Sequence, residues 1–99
     1  MDENIKNLID KEDIYRKAYK LWGYNAQMFM IFEEMAELQK AICKSIRQSN
    51  PDMVAIIEEI ADVEIMLEQL QYIAMIPREQ IEKQKEEKLF RLSRKMCAN

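Results

Sequence analysis

The 99-residue sequence is short enough to form one domain and carries 15 basic against 18 acidic residues, a net charge of −3. That balance argues against a dedicated DNA- or RNA-binding protein, which usually carries a basic surface. Histidine is absent, which removes the commonest protein metal ligand and any catalytic relay built on imidazole. One Gly and two Pro are typical of long helices joined by few turns.

The N-terminal part of the chain predicts two helices separated by its only glycine. Residues 2–22 favour a first helix or helix pair. Gly23 follows and can end that segment in a left-handed conformation, which only glycine adopts at low cost. Asn25 is then a candidate N-cap for the next helix, which we expect to end between residues 45 and 48.

The clearest predicted turn comes before the third helix. Asn50 is a candidate cap, and Pro51 suits the first helical position because its missing N–H has no helical partner there. This helix should run to about Ala74. Pro77 then separates it from a last helix over 78–96, since proline disfavours helical geometry in the preceding residue. The charged middle of that last helix, residues 82–88, should be solvated.

Apolar residues recur every three or four positions in both long helices. This spacing places them along one side of each helix, and we expect that side to form the core. The apolar stripe comprises Met28, Ile31, Phe32, Met35, Leu38, Ile42 and Ile46 in the helix that follows Gly23, and Met53, Ile56, Ile60, Val63, Leu67, Leu70 and Ala74 in the helix that follows Pro51.

Both long helices also carry a second face, where carboxylates are mixed with apolar side chains. Glu34 and Glu37 share a side with Met30 and Ala41, and Glu59 and Asp62 share one with Met66 and Ile73. A simple amphipathic helix would be uniformly polar there. Either these helices are buried on two sides in an oligomer, or the second face lines a ligand pocket. The two explanations are compatible.

Short connections make the two long helices antiparallel neighbours. We therefore expect a single all-α domain over residues 1–99, a four-helix bundle-like chain with an antiparallel central helix pair that is completed by oligomerisation. The N-terminus is acidic, and the longest uncharged run, residues 21–32, is too short to span a bilayer. These features predict a cytoplasmic protein with no membrane partner.

Two pairs of carboxylates lie at helical spacing in the central helices. Glu34 and Glu37 are three residues apart, as are Glu59 and Asp62, so each pair lies on one helix face. On antiparallel helices the two pairs lie at similar heights, and four carboxylates that converge would repel one another. A hard cation relieves that repulsion. Oxygen ligands without His or Cys favour Mg²⁺, or Mn²⁺ as a substitute, and Mg²⁺ favours a phosphate-bearing substrate.

Each motif alone is weak evidence for a metal site. EExxE and ExxD both occur often on solvated, glutamate-rich helices, where they bind nothing. Their occurrence on adjacent antiparallel helices, on a face that also carries Met and Ile, is more specific. A ferritin-like di-iron site does not fit, because it needs Glu-x-x-His motifs and the chain has no histidine.

Because it contains both the EExxE and the ExxD motif, the sequence resembles the MazG-like, all-α nucleotide pyrophosphohydrolases. The pattern of that family is EExxE, a spacer and then ExxD, here EEMAE at 33–37 and EIAD at 59–62. WGYNAQ before the first motif, ADVEIMLEQL around the second and KLFRLSRK near the end are also similar, so the resemblance covers about residues 20–95. It implies hydrolysis of a nucleoside triphosphate to the monophosphate and pyrophosphate.

The resemblance also assigns roles to residues. Glu34, Glu37, Glu59 and Asp62 would be the Mg²⁺ ligands, and Glu33 would orient water from behind them. Glu58 would be a possible helper in catalysis. The family implies a homodimer or homotetramer in which a neighbouring subunit partly encloses the substrate.

Two further residues are candidate substrate contacts because of their spacing from the carboxylates. Gln27 lies two turns before Glu34, and its amide has the donor and acceptor needed to read a base edge. Lys44 lies two turns after Glu37 and could contact a phosphate. Gln27 is equally compatible with an ordinary polar residue near a helix start, and Lys44 with an exposed helix lysine that contacts no ligand.

Two alternatives to this function remain open at the level of the sequence. One is a non-catalytic helical oligomerisation or regulatory module whose carboxylates are merely solvated. The other is a sister activity of the same superfamily, such as phosphoribosyl-ATP hydrolysis.

Overall fold

The computed structural model describes residues 10–50 and 52–97. Within them the chain forms three helices, α1 (Lys11–Arg47), α2 (Met53–Ile73) and α3 (Arg78–Cys97), and these residues include no strand, which confirms the all-α class. Residues 2–9 of the first helix or helix pair predicted over 2–22, and the predicted helix start at Pro51, lie outside the described residues. No helix in the described part of the chain combines the length and apolar character needed to cross a bilayer.

Gly23 divides α1 into two helical segments, residues 11–22 and 24–47. Its φ of 81° and ψ of 172° are the only non-helical backbone angles within α1. Residues with a side chain rarely adopt a positive φ, so the predicted break at glycine is confirmed. The prediction that Asn25 caps the second segment is wrong, because the helix resumes directly after Gly23 and already includes Asn25.

Aspartates cap the start of α1 and of α2. One carboxylate oxygen of Asp10 accepts a hydrogen bond from the backbone N–H of Asp13 at 3.2 Å. One of Asp52 accepts from Val54 at 3.1 Å and from Ala55 at 3.3 Å. The predicted cap at Asn50 is therefore wrong by two residues: Asp52 satisfies free N–H groups of the first turn and also places a negative charge at the positive end of the helix dipole.

The second segment of α1 packs against α2 along what we call the interhelical seam. The side chains of low exposure on each helix follow alternating steps of three and four, the spacing of a coiled-coil seam. The helices are antiparallel, since Gln27 contacts Gln69 whereas Glu34, further along α1, lies beside Asp62, earlier in α2. The seam residues are Gln27, Ile31, Glu34, Leu38, Ala41 and Ser45 on α1, and Ile56, Glu59, Val63, Met66, Gln69, Leu70 and Ile73 on α2.

The predicted core stripe is confirmed only in part. Six of its members are buried or half-buried, namely Met28, Ile31, Leu38, Ile56, Val63 and Leu70, whereas the other eight are exposed. Phe32 is 61% exposed and Ile46 is 77% exposed, whereas Ile31 and Met66 in the seam are buried. Periodicity identifies the apolar side of a helix, but another layer of structure must cover it. In the described chain α2 packs against a side of α1 that carries Glu34 together with Ile31 and Leu38, which leaves the part of the stripe with Phe32 and Ile46 uncovered.

The last helix, α3, adds little to the core. It contains no buried residue, and Leu89 and Phe90 are each 62% exposed. Residues 82–88 are all exposed, as predicted. The Cα radius of gyration is 17.1 Å, against roughly 13 Å for a compact domain of about 100 residues. The two central helices therefore form the packed unit that positions the candidate site.

Candidate metal centre

Three carboxylates converge across the interhelical seam. Glu34 from α1 and Glu59 and Asp62 from α2 each place one carboxylate oxygen within 4.8 Å of the other two. Glu34 and Glu59 are half-buried, and Asp62 is exposed at the edge of the seam. We call these three residues the carboxylate triad.

The local sequence explains this convergence. Glu59 and Asp62 are three residues apart on α2, so their side chains leave the same face of the helix. Glu34 occupies a seam position on α1, where a side chain must point towards α2. The antiparallel arrangement brings these residues to one height, as the motif spacing predicts.

The triad is electrostatically uncompensated. Burial raises the pKa of the Glu34 carboxyl, and the charges of Asp62 and Glu59, a hydrogen bond with Asp62 and the charge of Glu37 raise it further. The ion pairs among the described residues are formed by Asp13, Glu68 and Glu82, and none of them includes a triad carboxylate. The folded chain therefore holds like charges together without a cation from its own described side chains.

The other acidic residues of the two motifs lie around the triad rather than in it. Glu37, one turn after Glu34, is exposed and does not belong to the group of converging oxygens. It is near enough to Glu34 to raise the pKa of that carboxyl. Glu33 and Glu58 are exposed neighbours of the triad. The roles assigned to these three residues remain predictions.

The structure places the two candidate substrate contacts very differently. Gln27 is only 1% exposed, and its side-chain carbonyl accepts a hydrogen bond from the side-chain amide of Gln69. Its own amide nitrogen lies 3.8 Å from the sulfur of Met30. Lys44 is exposed on the surface of α1. The substrate roles predicted for Gln27 and Lys44 stay predictions, and the amide of Gln27 is engaged within the seam.

Sequence reasoning did not single out Gln69. It is 4% exposed and is the buried partner of Gln27. A signal for it was present, since Gln69 follows Asp62 by seven residues, as Gln27 precedes Glu34 by seven. Seven residues are two helical turns, so this symmetry places both glutamines at the same distance from the acidic motifs.

The donors of the triad suit a hard divalent cation. Carboxylate oxygens are the ligands that Mg²⁺ and Mn²⁺ prefer, and a partly exposed group of three leaves room for water or phosphate oxygens in the same shell. A cation would also remove the repulsion that raises the pKa of Glu34. The residues present therefore fit such an ion.

A large open groove of the described chain lies elsewhere. It has a volume of about 1100 Å³ and is formed by the start of α1, the end of α2 and the start of α3, with Tyr15, Glu68, Tyr72 and Arg78 among its lining residues. No triad residue lines it. The groove is therefore separate from the carboxylate triad.

The chain was compared with models of known protein families, with curated proteins and with solved structures. None of these comparisons gives a match. The resemblance to the MazG-like pyrophosphohydrolases therefore remains a prediction based on the two acidic motifs and the segments around them.

Proposed function

We propose that this protein is a Mg²⁺-dependent nucleoside triphosphate pyrophosphohydrolase. The observation that carries the proposal is the convergence of Glu34, Glu59 and Asp62 across the seam. These are three of the four ligands that the EExxE and ExxD motifs predict. A hard cation on carboxylate oxygens is typical of sites that process phosphate esters and anhydrides.

In this proposal the triad holds Mg²⁺, or Mn²⁺ in its place, with Glu37 as a further ligand. When bound, such an ion neutralises charge on phosphate oxygens and lowers the pKa of coordinated water. Exposed Glu33 orients the attacking water and accepts its proton on a carboxylate oxygen, with Glu58 as a helper. The oxygen of this water forms a bond to the α-phosphorus, and the phosphoanhydride bond between the α- and β-phosphates breaks. The products are the nucleoside monophosphate and pyrophosphate.

The protein in this proposal acts as a homodimer or homotetramer. Support comes from the exposed apolar stripe, including Phe32 and Ile46, and from α3, which has no buried residue. Soluble monomers rarely leave such extended apolar surfaces uncovered. Size-exclusion chromatography with light scattering is expected to give two or four times the mass of one chain, and the mass of a single chain would contradict this part.

The direct test of the enzyme is pyrophosphate release from a panel of nucleoside triphosphates. The panel should include ribo-, deoxy- and modified nucleotides together with phosphoribosyl-ATP, which separates the main proposal from the sister activity. We expect Mg²⁺-dependent release that falls at least 100-fold in Asp62→Asn and in Glu59→Gln, since each change removes a charged ligand. Glu86→Gln, on exposed α3, is the matched control and should keep full activity.

A non-catalytic oligomerisation module is the second candidate, favoured by the same exposed apolar stripe. It predicts no pyrophosphate release and no change in Tm on adding Mg²⁺ or Mn²⁺. An ion that binds only the folded state must raise the Tm. A thermal melt with and without Mn²⁺ therefore separates the two functions before any substrate is known.

A further inference from the structure

We infer that Gln27 and Gln69 are positioning residues that fix the axial register of α1 against α2 and so hold Glu34 opposite Glu59 and Asp62. The inference rests on the proposed metal centre and adds to it two residues outside the acidic motifs that position its ligands. It assigns the buried amide pair a role in metal affinity rather than direct contact with substrate.

The amide pair and the triad are successive levels of one seam. Gln27 lies seven residues before Glu34 on α1, and Gln69 lies seven residues after Asp62 on α2. At a rise of 1.5 Å per residue, two helical turns separate the levels by about 10.5 Å on both helices. Because the offsets are equal, the alignment of Gln27 with Gln69 also aligns Glu34 with Asp62.

The hydrogen bond gives the amide pair a preferred register. Gln69 donates its side-chain N–H to the side-chain carbonyl of Gln27, and both residues are almost wholly buried. A slip of the helices by one turn would separate these groups and leave two buried amides without a hydrogen-bond partner, which is unfavourable. A single buried polar pair sets register in coiled coils for the same reason.

Two of the apolar side chains next to the pair are methionines, which supply little of this specificity. Met30 follows Gln27 by three residues and Met66 precedes Gln69 by three, so both methionines lie between the amides and the carboxylates. Methionine is flexible and fits many arrangements, which makes it a poor determinant of register.

The triad itself favours separation in the absence of a cation. One carboxylate oxygen of each triad residue lies within 4.8 Å of the other two, and the repulsion between these charges would be relieved if α1 moved along α2. The hydrogen bond between Gln27 and Gln69, two turns away, opposes that movement. The seam therefore holds a group of carboxylates that repel one another and, two turns away, a hydrogen-bonded pair that keeps the helices aligned.

The test replaces both amides by a side chain of similar length and shape. Gln27→Met with Gln69→Met removes the hydrogen bond without leaving a polar partner stranded, so the double variant should keep its helical circular dichroism. Mn²⁺ alone is the probe, and its Kd is measured by electron paramagnetic resonance. We expect the Kd to rise at least 10-fold. Gln39→Met, an exposed glutamine of α1 outside the seam, should bind Mn²⁺ like the wild type.

The possible outcomes separate this inference from the proposed function. If the wild type binds Mn²⁺ and the folded double variant binds it equally well, the positioning role is wrong and the metal centre stands. If the wild type does not bind Mn²⁺, the metal centre and the positioning role are both wrong. Should the double variant not fold in buffer, it and the wild type are compared in sucrose, an excluded solute that favours the folded state, with weaker Mn²⁺ binding by the variant expected and equal binding contradicting the inference.

Discussion

The hydroxyl of Tyr15 donates a 2.7 Å hydrogen bond to the Oε2 atom of Glu68. This contact links the first segment of α1 to α2. The ring of Tyr15 also lies 6.3 Å from that of Tyr72, and Lys11 Nζ lies 3.6 Å from the same carboxylate oxygen. Burial, the hydrogen bond and the negative charge of Glu68 together raise the pKa of Tyr15 to about 12.

Tyr15→Phe should lower the free energy of unfolding by about 1 kcal/mol, the usual net value of one hydrogen bond. The ring contact with Tyr72 remains in the variant, so the change isolates the hydroxyl. Urea denaturation followed by circular dichroism measures the difference. Tyr24→Phe, at an exposed tyrosine of α1, is the control and should be neutral. Equal stability of both variants would show that the contact with Glu68 contributes nothing.

Alkaline pH should destabilise the fold through the same tyrosine. Its folded pKa of about 12 lies above the ordinary value of 10.0, so the folded state binds more protons than the unfolded state between these values. The contribution of Tyr15 to stability is therefore intact below pH 10 and decreases as the pH rises towards 12. A spectrophotometric titration should show one late phenol, absent in Tyr15→Phe. Ionisation of all tyrosines near pH 10 would contradict the buried hydrogen bond.

Glu34→Gln should stabilise the metal-free protein at neutral pH. The folded pKa of Glu34 is raised above 4.5, so the charged carboxylate lowers stability as the pH rises from about 4.5 through the folded pKa. Removing the charge should raise the Tm by up to about 5 °C, or roughly 1 kcal/mol or less after solvent screening. The difference should disappear near pH 4. Glu86→Gln should not raise the Tm at either pH.

Mn²⁺ should reverse this order of stability. The wild type gains the free energy of ion binding, whereas Glu34→Gln has lost a charged ligand. Melting curves at increasing Mn²⁺ concentration should therefore cross, with the variant more stable without the ion and the wild type more stable with it. Parallel curves would show that Glu34 takes no part in ion binding.

Gly23→Ala should disconnect the first segment of α1 from α2. Apart from the chain neighbours of Gly23 and the backbone of its own helix, no atom lies within 4 Å of the position of an added Cβ, so the cost comes from the backbone, whose φ is 81°. An alanine disfavours that angle by about 1 kcal/mol or more and favours a continuous helix. We expect a lower Tm and a Tyr15 pKa closer to 10. Asn25→Ala should be neutral or slightly stabilising, because Asn25 lies within the helix rather than at its cap.

The positions of the helices could be predicted from the sequence because local chemistry determines them. The break at Gly23 follows from the one residue that tolerates its backbone angles, and the break before Arg78 follows from Pro77. The cap at Asp52 was missed, since Asn50 is an equally good cap by residue type and only the geometry of the turn selects between them. Such boundaries are the least reliable part of a prediction from residue patterns.

Burial could not be predicted in the same way. Two faces of each central helix have a helical period, and the more apolar face, with Phe32 and Ile46, was the natural choice for the core. The chain buries only one edge of that face, with Ile31, and beside it the face that carries Glu34 on α1 and Met66 on α2. The choice depends on how many layers cover the helices, which is a property of the assembly and not of the period.

The motif spacing predicted the convergence of Glu34 with Glu59 and Asp62 because helix geometry and a short antiparallel connection suffice for that argument. The exposed position of Glu37 could not be predicted, since it depends on the rotation of α1 about its axis. The buried pair of Gln27 and Gln69 was missed because single polar residues carry no periodic signal of their own.

The small number of buried residues has a consequence for measuring the stability of this protein. Apart from Tyr15, Ile31, Met66 and the two seam glutamines, the side chains of the described helices are at least partly accessible to solvent. A fold with so little interior depends strongly on anything that binds its native form. A melting temperature for this chain is therefore meaningful only together with the protein concentration, the divalent ion present and the pH at which it was obtained.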